Sequence, residues 1–433
     1  MERNLMTSLI AWKGSDNRKP LLLRGARQTG KTWLVEHFGA SEFHSTVKID
    51  FMLNPQAASI FEVDLDPSRI IREIELRAGL EIDPENTLIY FDEIQEAPRG
   101  ITALKYFCEQ AREYHVIATG SYMGISLGRA GESFPVGKVD ELVLNPLSFA
   151  EFLKAVAGKP LANALQQADM RALASVSDIL EQQLKEYLVV GGMPEVVASY
   201  VTSHDLNKAR HLQQLILSAY DADFSKHAPG RILERMRLAW ASIPHQLSQE
   251  NKRFVYSAVR KGARARDFEE SIRWLVDYGA VRKVDRASAL RLPLASYQDP
   301  NAFKLFGLDV GLMSAQAELD PQAVLDGNRL FTEFKGALTE QYVCQELQCA
   351  GFSPTYWSAE KGQAETDFAV SLGGRVAPIE VKAGLNLKSK SLKVAMEKFG
   401  LERGVRTSLA GYRDDGWLVN VPLWAISQVG KLF

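Results

Sequence analysis

The chain has 433 residues, of which 46% are apolar, enough for two to four domains with ordinary buried cores. Its 51 Lys and Arg residues nearly balance 53 Asp and Glu, so no net charge draws the whole protein to nucleic acid or to an anionic membrane. No apolar run approaches the roughly 18 residues of a membrane span, and the three cysteines lack a metal or redox spacing. We therefore expect a cytoplasmic protein that is not inserted in a membrane.

After an N-terminal helix, the first third of the sequence alternates short apolar runs with helical stretches, which is the pattern of a parallel sheet covered by helices. The runs are rich in Leu, Ile, Val and aromatic residues, as expected of strands that are buried on both faces. The predicted strands are Pro20–Leu23, Thr46–Phe51, Thr87–Phe91, His115–Thr119 and Val139–Leu144.

The middle of the chain is predicted to be helical from about residue 149 to residue 226, with an interruption at Gly191-Gly192-Met193-Pro194. Three short helices and a strand follow, at Ile232–Trp240, Arg253–Val259, Phe268–Tyr278 and residues 280–284. This succession favours a winged helix-turn-helix.

The last part is predicted to be a second α/β unit. Its elements are an apolar segment at Phe303–Phe306, a helix at Lys335–Leu347, strands at Glu365–Leu372 and Val376–Val381, and a Lys-rich helix. Four domains are expected: an α/β domain built on the parallel sheet at 1–155, a helical lid or linker at 156–228, a winged-helix-like domain at 229–295, and a second α/β domain at 296–433.

One segment matches the phosphate-binding pattern G-x-x-x-x-G-K-[ST], between an apolar strand and a helix. It consists of Gly25, Ala26, Arg27, Gln28, Thr29, Gly30, Lys31 and Thr32. The glycines let the backbone wrap around phosphate, and the helix presents its positive N-terminal end to it. We expect Lys31 to pair with the β- and γ-phosphates of ATP and Thr32 to bind Mg²⁺.

A second element supports the nucleotide site. The apolar strand at residues 87–91 ends in Asp92 and Glu93, which is the Walker B arrangement. Asp92 is expected to hold Mg²⁺ and Glu93 to polarise the attacking water. Thr119 and Ser121 follow the next strand and are candidate sensors of the γ-phosphate, although a simple glycine-containing turn explains them equally well.

Arg129 lies in a Gly-flanked loop after these hydroxyls. An arginine finger towards a neighbouring subunit is one interpretation, and a solvated loop side chain is the other.

Together these motifs resemble bacterial and archaeal ATP-binding proteins of the AAA+ class, in which an AAA-type domain is fused to a C-terminal domain of unknown function. The matching segments are Gly25–Thr32, Tyr90–Gln95, Thr119–Ser121, Asn145–Phe152, Tyr187–Pro194 and Leu308–Leu312. The resemblance implies an ATPase that forms homo-oligomers, with a restriction-endonuclease-like fold at the C-terminus. One departure is Lys138, where the family usually has Arg. Lysine keeps the charge but loses the bidentate fork, so hydrolysis is expected to be slow or differently regulated if this position is the trans-acting finger.

The C-terminal part contains a constellation with the form of the PD-(D/E)XK nuclease core. Asp367 and Glu380 lie on consecutive predicted strands, and Lys382 faces the same side as Glu380 because side chains alternate along a strand. With Glu340 from an upstream helix, the carboxylates are expected to bind Mg²⁺ or Mn²⁺, while Lys382 positions water. The alternative is a set of solvated charges, and an intact acidic cluster does not by itself establish cleavage.

The predicted winged-helix segment is locally basic, with an excess of about five positive charges between Glu250 and Arg291. Such an excess favours contact with a phosphate backbone, whereas the competing interpretation is a solvated helix face or a protein-binding surface. The sequence thus predicts an ATPase acting on DNA or another nucleic acid. The alternative is an ATP-dependent regulatory switch or scaffold with an inactive nuclease fold.

Overall fold

The computed structural model describes residues 1–121, 134–326, 329–359, 364–384 and 389–433. The chain divides into two compact units: residues 2–145 with 277–279, and residue 1 with 146–276 and 280–433. Within the described ranges, no helix is both long and apolar enough to cross a membrane. The domain bounds predicted at residues 155, 228 and 295 remain a prediction.

The first unit contains a five-stranded parallel sheet with the strand order β2-β3-β4-β1-β5. The strands are β1 (Leu21–Arg24), β2 (Ser45–Asp50), β3 (Thr87–Asp92), β4 (His115–Gly120) and β5 (Asp140–Val143). All five predicted strands are confirmed. Strand β1 lies between β4 and β5, so the chain order changes direction there, which is where open α/β sheets bind ligands.

Helices cover both faces of this sheet. They are α1 (Leu5–Lys13), α2 (Lys31–Glu42), α3 (Pro67–Ala78) and α4 (Pro98–Gln110), with short 3₁₀ helices at Pro55–Phe61 and Ile94–Glu96. Alternate residues of a strand enter different cores: Ile89 and Phe91 pack in one cluster, and Leu88 and Tyr90 in the other. The parallel, doubly covered sheet predicted from the apolar runs is therefore the fold of this unit.

The second unit begins with helices. They are α5 (Phe149–Val156), α6 (Lys159–Gln167), α7 (Met170–Ala174), α8 (Ser177–Val190), α9 (Pro194–Ser203), α10 (Leu206–His227), α11 (Gly230–Ala241), α12 (Ile243–Ser248), α13 (Tyr256–Val259) and α14 (Ala265–Tyr278). One predicted helix, Arg253–Val259, is wrong in its first half. Phe254 donates its backbone N–H to the Phe303 carbonyl at 2.8 Å, so the chain is extended there and only α13 is helical.

An eight-stranded mixed sheet completes this unit, in the order β12-β13-β11-β10-β9-β8-β6-β7. Its strands are β6 (Val281–Ala287), β7 (Gln298–Gly307), β8 (Thr355–Ser358), β9 (Glu365–Leu372), β10 (Arg375–Val381), β11 (Gly404–Ser408), β12 (Arg413–Asp414) and β13 (Leu418–Pro422). The remaining helices are α15 (Val310–Gln316), α16 (Pro321–Asp326), α17 (Arg329–Cys349), α18 (Lys390–Phe399) and α19 (Val429–Leu432), with 3₁₀ turns at Leu294–Tyr297 and Leu423–Gln428. The antiparallel β6–β7 hairpin follows α14, and it joins the C-terminal sheet through β8.

Three of the family-like segments meet in one buried polar junction of the second unit. The Leu147 amide donates to the Gly192 carbonyl at 2.7 Å, and the Gly192 amide donates to Asp309 Oδ2 at 2.6 Å. Gly191 has φ of 72°, and a Cβ there would lie 2.2 Å from Asp309 Oδ1. A side chain at this position is therefore excluded both by backbone conformation and by space.

Helix α17 contributes Glu346 to the same region, where its Oε1 accepts the Phe149 amide at 2.8 Å. Burial raises the pKa of this carboxyl to about 8 from its ordinary value of 4.5. The folded chain therefore holds a proton that the unfolded chain releases, and stability is expected to fall as the pH rises from about 4.5 to about 8.

Glu346→Gln removes that titration while keeping an oxygen acceptor for the Phe149 amide. We expect the melting temperature of the variant to increase relative to that of wild type as the pH is raised from 6 to 9. The reason is that only wild type acquires a buried charge over this interval. Thermal unfolding at both pH values, followed by circular dichroism, measures the difference. A melting-temperature difference that stays constant with pH would contradict the assignment.

Candidate functional site

The phosphate-binding loop connects β1 to α2. Gly30 has φ of 90° and directly precedes the first turn of α2, a conformation that glycine adopts without steric cost. A Cβ on Gly25 would lie 2.5 Å from the Leu144 carbonyl oxygen, so the loop packs against the chain after β5. Thr29 Oγ1 donates to the Ala26 carbonyl at 2.9 Å and braces the loop from within. The sequence-predicted loop therefore has the strand–loop–helix context that its motif requires.

Lys31 is 6% exposed and lies inside the loop rather than in solvent. Its Nζ donates to the Gly25 and Ala26 carbonyls and to Ser121 Oγ, each at 3.0 Å. Burial lowers the pKa of this ammonium to about 8, although Glu93 and Asp92 oppose the shift. A buried ammonium in this loop favours an anionic ligand that supplies the missing negative charge.

Asp92, at the end of β3, is 3% exposed and accepts hydrogen bonds from neighbouring side chains. Thr119 Oγ1 donates to its Oδ1 at 2.5 Å, and Thr32 Oγ1 donates to its Oδ2 at 3.2 Å. Burial acts to raise the pKa of Asp92, but hydrogen bonds from Thr119, Tyr90 and Lys48 outweigh it and hold the pKa below the usual value. An ionised carboxylate beside the Thr32 hydroxyl is the donor set that Mg²⁺ prefers next to a nucleotide.

Glu93 follows Asp92 in the left-handed conformation, with φ of 51°. Gln95 Nε2 donates to its Oε2 at 2.6 Å, and Ser121 Oγ donates to its Oε1 at 3.3 Å. Since Ser121 also contacts Lys31, it connects the predicted general base to the lysine predicted to bind phosphate. Of the two candidate sensors, Ser121 thus contacts Lys31 and Glu93, whereas Thr119 contacts Asp92.

Two cationic residues of this site were missed by sequence reasoning. Arg3 donates to the Thr29 carbonyl at 2.9 Å and to the Asn145 carbonyl at 2.5 Å, which ties the loop to the chain after β5. Lys48, on β2, lies 3.1 Å from Asp92 Oδ2. Neither belongs to a phosphate-binding motif, and both reach the site only through the fold.

Of the two candidate trans-acting residues, Lys138 and Arg129, the structure describes only Lys138. Lys138 Nζ lies 2.8 Å from Glu109 Oε1 on α4 of the same unit. This pairing raises the pKa of Lys138 and gives the side chain a partner within its own chain. Arg129 lies outside the described residues. The arginine-finger role therefore remains a prediction at both positions.

In the second unit, the predicted nuclease-like residues lie along one cavity of about 700 Å³. Asp367 is near the start of β9 and Glu380 near the end of β10, and the antiparallel pairing of these strands brings them together. The Val381 amide donates to Asp367 Oδ2 at 2.7 Å, and Lys382 Nζ lies 2.8 Å from Glu380 Oε1. The spacing thus predicted the proximity of these three side chains correctly.

Lysine ammonium groups offset the charge of Glu340 in this cavity. Glu340, on α17, forms an ion pair with Lys252, and its Oε2 lies 3.7 Å from the fully buried Lys304 Nζ. These two lysines outweigh burial and lower the pKa of Glu340. Burial and the neighbouring Glu340 carboxylate raise the pKa of Asp367 to about 7.

The predicted metal role of Glu340, Asp367 and Glu380 remains a prediction. Nowhere in the described part of the chain are three or more acidic, histidine or cysteine side chains grouped so as to hold a metal ion. In the structure, Lys252 and Lys304 place positive charge beside Glu340, although Lys304 Nζ lies closer to Glu365 Oε1, at 2.5 Å, than to Glu340.

The basic segment between residues 250 and 291 is also partly neutralised. Six of its cationic side chains lie within 4 Å of a carboxylate oxygen: Lys252, Arg260, Arg266, Arg273, Lys283 and Arg286. The excess positive charge predicted from the sequence is correct as a count. Three of the six carboxylate partners lie inside the segment and are already included in that count, so only Glu234, Asp299 and Glu340 reduce the field further.

Family comparisons agree with the geometry of the first unit. Residues 17–153 match a family described as an AAA domain, and residues 335–425 match a domain of unknown function, DUF4143. Residues 181–323 match a further domain of unknown function, DUF8612. The first unit is thus a P-loop ATPase domain of the AAA class. The chain joins it to a C-terminal DUF4143 domain, as the sequence resemblance implied.

No curated protein matches the chain. Among solved structures, a Walker-type ATPase of Pyrococcus abyssi has 13% identity and a TM-score of 0.44, over 73% of this chain and 95% of that protein. The Aeropyrum pernix ORC1 protein in complex with DNA has 13% identity and a TM-score of 0.29, over 75% of this chain and 92% of that one. Similarities this low carry no functional argument.

Proposed function

We propose that the chain binds ATP with Mg²⁺ and hydrolyses it at the carboxyl edge of the first sheet. The observation that carries the proposal is the convergence of Lys31, Asp92 and Glu93 on Ser121 and Thr119 at the ends of adjacent strands. These residues come from three separate segments of sequence, and each is of the type that its step requires.

Each side chain then has a defined task. Lys31 binds the β- and γ-phosphates, and Thr32 with Asp92 holds the magnesium ion, which when bound offsets the charge on the phosphates. Glu93 orients the attacking water and accepts its proton, while Gln95 and Ser121 hold that carboxylate in place. Release of inorganic phosphate from ATP with Mg²⁺, compared with the same reaction in EDTA, tests the activity directly. Equal release in both conditions would contradict it.

We further propose that the chain forms homo-oligomers and that its nucleotide state controls a C-terminal half that contacts nucleic acid. The locally basic segment at residues 250–291 and the arginine and lysine side chains that line the cavity support the second part. The test combines two measurements at several salt concentrations: oligomer size and affinity for DNA, each with and without ATP. A DNA affinity that does not change with ATP would contradict the coupling.

A regulatory switch or scaffold with an inactive nuclease fold is the second candidate. The specific observation in its favour is the pairing of Glu340 with Lys252 and Lys304, which offsets the charge of one of the three carboxylates that a metal site would use.

Whether the cavity cleaves nucleic acid is a separate question for both candidates. Because ammonium groups neutralise Glu340, we expect the wild-type chain not to cut plasmid or single-stranded DNA with Mg²⁺ or Mn²⁺. Agarose electrophoresis of substrate incubated with wild type and with Asp367→Ala measures this. Metal-dependent cutting by wild type that Asp367→Ala abolishes would overturn the expectation and establish the nuclease.

A further inference from the structure

Lys48 contacts the Walker B carboxylate without belonging to either nucleotide-binding motif. Its Nζ lies 3.1 Å from Asp92 Oδ2 and 2.8 Å from Glu36 Oε1, and it also lies 5.5 Å from the centre of the Tyr90 ring. We propose that Lys48 is a positioning residue that neutralises Asp92 before Mg²⁺ and ATP bind, and that the Lys48–Glu36 pair sets the Mg²⁺ concentration required for nucleotide binding. This inference rests on the proposed Mg²⁺–ATP site.

The fold places Lys48 at this point by register. Strands β2 and β3 are parallel neighbours, with Lys48 paired to Tyr90 and Asp50 to Asp92. Lys48 therefore lies two residues before the level of Asp92, and its long side chain spans that distance to the carboxylate. Glu36 approaches from α2, the helix that follows the phosphate-binding loop. The ammonium is therefore shared between a buried carboxylate and one on the surface.

Asp92 needs a counter-charge when no metal is bound. The side chain is nearly buried, and an ionised carboxylate in such a place is unfavourable unless it is paired and hydrogen-bonded. Thr32 and Thr119 supply hydroxyl donors, but Lys48 supplies the positive charge. The ammonium thus keeps Asp92 ionised and oriented before the metal arrives.

The same ammonium opposes Mg²⁺ once the metal binds, because like charges near one carboxylate repel each other. Glu36 limits this repulsion, since it draws part of the charge of Lys48 away from Asp92. The side chain of Glu36 is 52% exposed, and its own interaction with the metal is screened by solvent. Removing Lys48 and removing the charge of Glu36 should therefore shift the metal requirement in opposite directions.

The test titrates Mg²⁺ into the full chain with a fixed concentration of a fluorescent ATP analogue and follows binding by anisotropy. We expect Lys48→Met to lower the Mg²⁺ concentration for half-maximal binding by about three- to tenfold, the range expected for repulsion between an ammonium and a divalent ion roughly 6 Å apart in a solvent-like dielectric. Glu36→Gln is expected to raise that concentration. Lys48→Arg should restore a value close to that of wild type.

Lys13→Met is the matched control, because Lys13 also pairs with a carboxylate of α2, at 3.6 Å from Glu42 Oε2, but does not contact Asp92. A purely structural role for Lys48 would destabilise the domain in both site variants and move both midpoints the same way. That result, or no shift beyond the Lys13→Met control, would overturn the inference. A wild-type chain that binds the analogue equally well with and without Mg²⁺ would instead contradict the proposed function, so the two failures are distinguishable.

Discussion

Lys31→Ala is expected to abolish nucleotide binding, with a loss of affinity of at least about 100-fold, on the scale of a buried charge-assisted contact. The ammonium is the cationic side chain that contacts the Gly25 and Ala26 carbonyls inside the loop. Without this ammonium, no positive charge would offset the repulsion between the triphosphate oxygens and those carbonyl oxygens. Equilibrium binding of a fluorescent ATP analogue to wild type and variant measures the loss.

The control for this experiment separates binding from folding. Lys31 also holds Ser121 at 3.0 Å, so its removal loosens the site as well as uncharging it. Ser121→Ala removes that hydrogen bond and leaves the ammonium in place, and we expect it to bind nucleotide within about tenfold of wild type, the cost of one hydrogen bond. Binding by Lys31→Ala that matches Ser121→Ala would show that Lys31 does not contact phosphate.

The P-loop half of the fold was predictable because its signals are local. Each strand is a short apolar run, and the phosphate-binding residues are contiguous in sequence from Gly25 to Thr32. Asp92 ends its strand and Glu93 follows it directly, so the strand and the Walker B pair are predicted together. Lys48 was not predictable in this way, since a single lysine in a strand is ordinarily a solvated side chain. Its role depends on which strand lies beside β3.

The C-terminal half shows where local patterns stop being sufficient. The spacing of Asp367, Glu380 and Lys382 predicted their meeting correctly, because a hairpin joins their strands. The ion pair between Lys252 and Glu340 was not predicted, because 88 residues of sequence separate the two side chains. The helix predicted from residue 253 is likewise extended over its first residues, because the Phe254 amide donates to the Phe303 carbonyl. Long-range pairing of this kind leaves no signal in a single sequence.

Glu93→Gln is expected to leave ATP binding nearly unchanged and to lower the rate of hydrolysis by about 100-fold or more, as loss of a general base does. The substitution keeps the shape of the side chain and an oxygen that can accept from Ser121, but it removes the group that takes the proton from water. Single-turnover release of phosphate measures the chemical step, and analogue binding measures affinity in the same preparation.

Glu96→Gln is the control, because Glu96 is exposed and lies three residues along the same turn. If Glu93→Gln and Glu96→Gln hydrolyse ATP equally fast, Glu93 is not the base. If Glu93→Gln loses binding as well as turnover, the carboxylate acts by holding Lys31 through Ser121 rather than by activating water. Retained binding with lost turnover would show that Glu93 activates water. The same variant would keep ATP bound, so its oligomer size and its DNA affinity could be measured in the ATP-bound state.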